Sequence, residues 1–220
     1  MNFEQAIISQ LEANANPKQA LKMAAYMKNQ FVFYGINSST RKLICKEIYD
    51  QYGVPENAIE VAKVLFLRPH RECHYIAQEL LLKAKKQWKE HHIEAIEWVI
   101  LQNSWWDTVD FLASKVVGAY FQEWPDNKAN ITHRWNVSED IWLIRTSIIF
   151  QLKYKAKVDT ILLANSILPH TQNKAFFIRK AIGWALRSYA DVNPSWVISF
   201  VKNNKLQPLS IKEALRKLPK

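Results

Sequence analysis

The sequence predicts an all-α protein, and three observations carry that prediction. Four glycines in 220 residues are fewer than the turns of a sheet-rich protein of this length need. Apolar residues recur at helical spacing along the chain, and few segments alternate with the two-residue period of a strand. A heptapeptide pattern also repeats, since WLIRTSI at residues 142–148 aligns with FFIRKAI at residues 176–182. The offset of about 34 residues is typical of helical hairpins stacked into an α-solenoid of the HEAT or armadillo kind.

Capping residues, prolines and glycines predict the order of about twelve helices of ordinary length. Asn16-Pro17 indicates an N-cap followed by proline at the first helical position, and we expect this helix to continue through Asn29. Gly35 and Ser38–Thr40 separate it from a helix that ends near Gly53. The remaining predicted helices run from Val54-Pro55 to Pro69, from there through Lys86, and then over residues 91–101, 104–121, 127–135, 138–154, 157–167, 173–190, 194–203 and 209–217.

Composition limits the class of protein and its partners. Hydrophobic residues at 49% and charged residues at 23% are typical of a globular chain, and we expect one domain over residues 1–220. The net charge of +10 favours a polyanionic partner, with plain solubility as the alternative. The sequence offers no apolar run of about 18 residues for a membrane span, and its start lacks the pattern of a signal peptide. Cys45 and Cys73 lack metal or redox spacing, so we expect reduced thiols and a cytoplasmic protein.

The most informative motif is SWWDTVD at residues 104–110. Trp106 and Asp110 are four residues apart, so on a helix they project from the same face. Because a polyanion repels carboxylates, an aspartate beside an aromatic ring in a basic protein suggests a site that handles positive charge. The other short motifs are weak: the histidines of HHIE at residues 91–94 lack zinc spacing, and we expect no metal site.

Three further segments carry candidate residues, each with an alternative role in packing. Phe177, Trp184 and Arg187 lie near one face of a late helix, where they serve a ligand or the aromatic core. Arg145, in an apolar helix, is either an ion-pair partner or a phosphate clamp, and it is expected to share a face with Lys153 eight residues on. Tyr26 either packs in the core or adds a third aromatic ring to the surface that carries Trp106 and Trp184.

Taken together, these segments resemble the AlkD-like DNA alkylation-repair glycosylases, a family built from HEAT-like repeats, over nearly the whole chain. The resemblance implies an α-solenoid with a concave, basic DNA-binding cleft. The segments that carry it occur in the family's order: MAAYMKN at 23–29, SWWDTVD at 104–110, IWLIR at 141–145, FQLKYK at 150–155 and KAIGW at 180–184.

The resemblance implies roles for individual residues. Asp110 matches the family's catalytic aspartate, and Trp106 and Trp184 match the aromatic residues that flank the deoxyribose of the damaged nucleotide. The positions that match DNA-contacting residues are Tyr26, Arg145, Lys153, Phe176, Phe177 and Arg187. The resemblance implies no cofactor, and we expect a monomer that associates with the bacterial nucleoid when it is bound to DNA.

The implied reaction is hydrolysis of the N-glycosidic bond of a cationic alkylated purine, such as N3-methyladenine or N7-methylguanine, in double-stranded DNA. Asp110 would stabilise the positive sugar and position a water molecule. The family is understood to work without the extrusion pocket of most base-excising enzymes. No nucleophilic lysine occupies a matched active-site position, so a monofunctional glycosylase is expected. The alternatives are a non-catalytic protein that binds damaged or distorted DNA, and a scaffold for an acidic partner.

Overall fold

The computed structural model describes residues 1–218, which form two compact units, residues 1–103 and residues 104–218. The regular structure in the described residues is helical, without a strand, apart from an isolated parallel bridge between Val32 and His70. The all-α prediction is therefore confirmed. None of the described helices is long and apolar enough to cross a bilayer. The single domain over residues 1–220 and the concave cleft stay predictions.

The N-terminal unit contains the first six α-helices and one short 3₁₀ turn. In chain order they are α1 (Phe3–Ala13), α2 (Pro17–Tyr26), α3 (Ser38–Tyr52), α4 (Ala58–Phe66), α5 (Arg71–Lys83), the 3₁₀ turn Lys85–Gln87 and α6 (His92–Leu101). Helix α1 packs on α3, and α4 packs on α5 and α6. The sequence prediction missed α1, although Asn2 and Gln5 form a reciprocal capping box at its start.

Several predicted boundaries in this unit are wrong: α4, for example, begins at Ala58 rather than at Val54-Pro55. Two others have a local cause. Helix α2 ends at Tyr26 rather than Asn29, because Lys28 and Asn29 adopt left-handed backbone angles of φ 54° and 55°. Ser38–Thr40 does not separate helices: it is the first turn of α3, since the Asn37 side chain accepts a hydrogen bond from the Thr40 backbone N–H at 2.9 Å. The predicted end of α3 at Gly53 is confirmed. Gly53 has a φ of 70°, a backbone angle that glycine adopts at little cost.

The C-terminal unit contains the remaining helices. In chain order they are α7 (Trp106–Phe111), a π-helical segment (Leu112–Val117), α8 (Gly118–Glu123), α9 (Lys128–Asn136), α10 (Ile141–Ile149), 3₁₀ segments at Phe150–Lys153 and Lys155–Lys157, α11 (Thr160–Ile167), a 3₁₀ turn at Leu168–His170, α12 (Phe176–Ala190), α13 (Pro194–Asn203) and α14 (Pro208–Ala214). Helix α12 packs against α10 and α14, and residues of α10 and α12 form much of the buried core of this unit.

The two copies of the repeated heptapeptide lie in α10 and α12, which contact each other directly. The prediction of one helix over residues 138–154 is wrong, however, because α10 ends at Ile149 and the chain tightens into 3₁₀ turns. Lys153 therefore lies beyond the end of α10, and the predicted shared helical face of Arg145 and Lys153 does not form. Arg145 is buried, whereas Lys153 is exposed.

Candidate functional site

A pocket of about 280 Å³ opens on the C-terminal unit. Its lining residues come from α7, α10 and α12. Its lining combines aromatic rings with charged groups: Trp106, Asp110, Arg145, Phe176, Phe177, Lys180, Trp184 and Arg187. A pocket with apolar walls and a few convergent charges is typical of a ligand-binding or catalytic site.

The two adjacent tryptophans of the SWWDTVD motif serve different purposes. Trp105 precedes α7 in an extended conformation, and its carbonyl accepts the Val109 N–H at 3.0 Å. Its ring packs against Phe177 at 5.2 Å and against Trp142 at 5.7 Å between ring centroids. Trp105 thus anchors the start of the helix, and Trp106 in the first turn faces the pocket with Asp110 one turn later.

Asp110 and Arg145 form a bidentate ion pair in the pocket wall. Arg145 Nε donates to Asp110 Oδ1 at 2.7 Å, and its terminal nitrogen donates to Oδ2 at 2.9 Å. The other terminal nitrogen donates to the backbone carbonyl of Phe177 at 2.5 Å, which ties α10 to α12. Arg145 is 4% exposed, so of its two possible roles the structure shows the ion pair. Its predicted contact with DNA stays a prediction.

Burial and the ion pair act on the Asp110 carboxyl in opposite directions. Burial favours the neutral form and raises the pKa of Asp110, while the hydrogen bonds and charge of Arg145 lower it, and burial is the larger effect. The net result is a pKa above the ordinary value of an aspartate. The carboxylate side chain keeps 17% of its surface exposed, on the pocket side of the ion pair.

The helix that carries Asp110 changes form immediately after it. Residues Leu112–Val117 adopt the wider π geometry, and the Ser114 hydroxyl donates to the Asp110 backbone carbonyl at 2.6 Å. The π-helix is rare and occurs frequently at functional sites. The π segment therefore begins two residues after Asp110 and contacts its backbone.

The α12 wall contributes three groups at helical spacing. Lys180, Trp184 and Arg187 follow one another by four and three residues and therefore lie on one face. Glu213 of α14 accepts from both cations, through Oε1 from Lys180 Nζ at 2.9 Å and through Oε2 from the Arg187 guanidinium. The hydrogen bond from Lys180 is the largest of the effects that lower the pKa of Glu213.

The structure brings together seven of the nine residues singled out from the sequence. The exceptions are Lys153 and Tyr26. Lys153 is exposed on a 3₁₀ segment and does not line the pocket. Tyr26 belongs to the N-terminal unit and is 75% exposed, so it is not a core residue there. Sequence reasoning missed Lys180, which its spacing from Trp184 could have suggested, and Glu213, which no local pattern connects to this face.

The described residues contain no group of three or more His, Cys, Asp or Glu side chains that could hold a metal ion. The pocket lining presents one carboxylate, two tryptophan rings, two phenylalanine rings and three cationic side chains.

Comparison with known proteins agrees with the architecture of the chain. The model of the DNA alkylation repair enzyme family matches residues 7–218. A solved structure described as a predicted DNA alkylation repair enzyme from Enterococcus faecalis superposes with a TM-score of 0.87, at 32% sequence identity, over 94% of this chain and 97% of that one. No curated protein matches the sequence significantly. Since the family model covers nearly the whole chain, the protein belongs to the DNA alkylation repair enzyme family.

Proposed function

We propose that the protein is a monofunctional DNA glycosylase that releases cationic alkylated purines from double-stranded DNA. One observation carries the proposal: Asp110 is fixed by a bidentate ion pair in a pocket that Trp106 and Trp184 also line. Family membership supports a role in the repair of alkylated DNA. The position of the carboxylate supports the more specific assignment to cleavage of the glycosidic bond.

The chemistry asks for this kind of site. A purine alkylated at N3 or N7 carries a positive charge and leaves without protonation, so the barrier lies in the positive charge that grows on the sugar. A carboxylate already in place can stabilise that charge at no cost of reorganisation. The faces of Trp106 and Trp184 add a favourable interaction with the same cation.

The ion pair leaves Asp110 able to bind water. A carboxylate has about four acceptor positions on its two oxygens, and Arg145 uses one on each. The remaining positions are available on the exposed side of the group. In the proposed mechanism one of them accepts a hydrogen bond from the water that attacks the anomeric carbon, and Arg145 keeps the carboxylate ionised and oriented.

Lys180 also lines the pocket, but the proposal gives it no covalent role. Its ammonium group is held by Glu213 at 2.9 Å, and a charged ammonium cannot attack the sugar. A monofunctional enzyme leaves an intact abasic strand. Treatment of the reaction with borohydride is therefore expected to trap no covalent protein–DNA adduct.

The test is release of free base from a duplex with N7-methylguanine at one position, measured by chromatography for the wild type and Asp110→Asn. The proposal predicts that Asp110→Asn releases the base about 10²–10³ times more slowly than the wild type, with similar affinity of both proteins for the duplex. Similar release rates of the two proteins would contradict the role of Asp110. Release by neither, with tight and salt-sensitive binding of both, would favour the non-catalytic DNA-binding protein.

A further inference from the structure

Glu213 lies between two cations of a pocket that is proposed to bind an anionic polymer. It approaches from α14, outside the helices that carry Asp110, and its side chain is 13% exposed. Lys180 Nζ is 2.9 Å from Oε1, and the Arg187 guanidinium contacts Oε2. A single carboxylate therefore fixes the ends of two long side chains on either side of Trp184.

The fit of α14 against α12 depends on Gly183. A methyl group at this position would lie 2.4 Å from Glu213 Cβ and 3.0 Å from the Ser210 carbonyl oxygen. The Ser210 hydroxyl donates to the Arg179 carbonyl at 3.0 Å one turn earlier on α12. The missing side chain thus lets α14 come close enough for Glu213 to reach both cations.

A carboxylate at this place has a cost for the binding of DNA. It partly neutralises Lys180 and Arg187, and it repels the phosphates that these cations would attract. In return, it removes much of the rotational freedom that a free lysine and a free arginine would lose on binding. The placement is useful only if the orientation of the two cations matters more than their total charge.

We propose that Glu213 is a positioning residue for the reaction proposed above: it holds Lys180 and Arg187 as a two-point clamp for backbone phosphates beside the reacting nucleotide. Trp184, between the two cations on the same face, then lies against the sugar of that nucleotide. The clamp fixes the damaged strand relative to Asp110, so it raises the rate of the bound complex at the expense of affinity for DNA.

The decisive variant is Glu213→Gln, which keeps the shape of the side chain and removes its charge. Because the two cations are freed, we expect undamaged duplex to bind a few-fold more tightly and its affinity to fall more steeply with salt. At saturating DNA, the single-turnover rate of base release is expected to fall about tenfold. Affinity and rate thus change in opposite directions, which a purely structural role would not produce.

Asp191→Asn is the matched control, since it makes the same charge change at an exposed ion pair with Lys217 in the same unit. It is expected to leave the rate unchanged. Gly183→Ala, which displaces Glu213 without changing charge, should slow base release as Glu213→Gln does.

Parallel loss of affinity and rate in Glu213→Gln, or the same behaviour as Asp191→Asn, would overturn the clamp. Absence of base release by the wild type would instead contradict the proposed glycosylase. In that case the salt dependence of DNA binding alone tests whether Glu213 restrains Lys180 and Arg187. If affinity falls with salt as steeply in Glu213→Gln as in the wild type, the clamp is overturned, and a steeper fall supports it.

Discussion

Two carboxylates, one in each unit, have different surroundings: Glu72 follows the buried Arg71 in the sequence, and Asp110 is paired with the buried Arg145. Glu72 of α5 is completely buried, and it accepts hydrogen bonds from the backbone N–H groups of Tyr34, Gly35 and Ile36 at 3.1, 2.9 and 3.0 Å. Asp110 of α7 is bound by a single guanidinium and keeps part of its surface on a pocket. Glu72 fastens a loop to a helix, whereas part of the Asp110 carboxylate stays exposed in the pocket lining.

Arg71 and Arg145 also differ in the partners of their guanidinium groups. Arg71 is fully buried, with its guanidinium 3.7 Å from the ring centroid of Phe31 and a donated hydrogen bond of 2.6 Å to the Asn103 carbonyl. Arg145 is nearly as buried, but its donors converge on Asp110 and on the Phe177 carbonyl behind it. Residue type and burial alone therefore do not distinguish Asp110, the carboxylate proposed to react, from Glu72. What matters is how the acceptor positions of a carboxylate are used and whether a cavity faces it.

The largest change in stability is expected from Arg145→Met, which leaves Asp110 without its partner. Removing one member of a buried ion pair commonly costs about 3–5 kcal/mol, and we expect about 2–4 kcal/mol here because Asp110 is partly exposed. The loss should shrink as pH falls, because a protonated Asp110 needs no partner. Urea unfolding at several pH values measures both effects, and Arg216→Met at an exposed position is the control. A loss that does not vary with pH would contradict this account.

Glu72→Gln is expected to cost about 2–3 kcal/mol of unfolding free energy, because backbone N–H groups lose a charged acceptor and one of them faces an amide nitrogen. The rate of base release per folded molecule should stay at the wild-type value. Urea unfolding and a single-turnover assay at low temperature check the two parts. A slower reaction at full occupancy of the folded state would show that the loop held by Glu72 contributes to catalysis.

Trp106→Leu and Trp184→Leu should each reduce the single-turnover rate about tenfold, since each removes one aromatic face from a developing cation. Trp98→Leu is a matched control, because Trp98 lies 5.6 Å from the Lys63 ammonium in the N-terminal unit. It is expected to leave the rate unchanged. Equal effects of all three substitutions would mean that the rings act through stability alone.

The smallest expected effect is a displacement of the pH–rate profile. Burial raises the pKa of Asp110, so base release should decline with falling pH at a higher value than an ordinary aspartate would give. Arg145→Lys keeps the charge but loses the bidentate geometry, and it should move this acidic limb further upward. The rate near neutral pH should change by less than tenfold. An acidic limb that stays in place would contradict the control of Asp110 by Arg145.

The sequence was sufficient for the helical class and for much of the pocket, because Trp106 with Asp110 and Phe177 with Trp184 and Arg187 are related by short helical spacings. It was insufficient where tertiary contacts decide. The Arg145 pairing joins residues 35 positions apart, and Glu213 reaches Arg187 over 26 positions. The expectation that Lys153 shares a helical face with Arg145 was wrong, because nothing in the periodicity indicates that α10 tightens into 3₁₀ turns after Ile149. The contact of Lys153 with DNA stays a prediction.

The most direct test of the central claim is the single-turnover rate of N7-methylguanine release by Asp110→Asn and Glu72→Gln, measured together against the wild type and corrected for the folded fraction. Removing one preorganised electrostatic group typically lowers such rates by about 10²–10³. We therefore predict a loss of this size for Asp110→Asn and a wild-type rate for Glu72→Gln. Comparable losses in both variants, or wild-type activity of Asp110→Asn, would contradict the assignment of Asp110 as the reactive carboxylate.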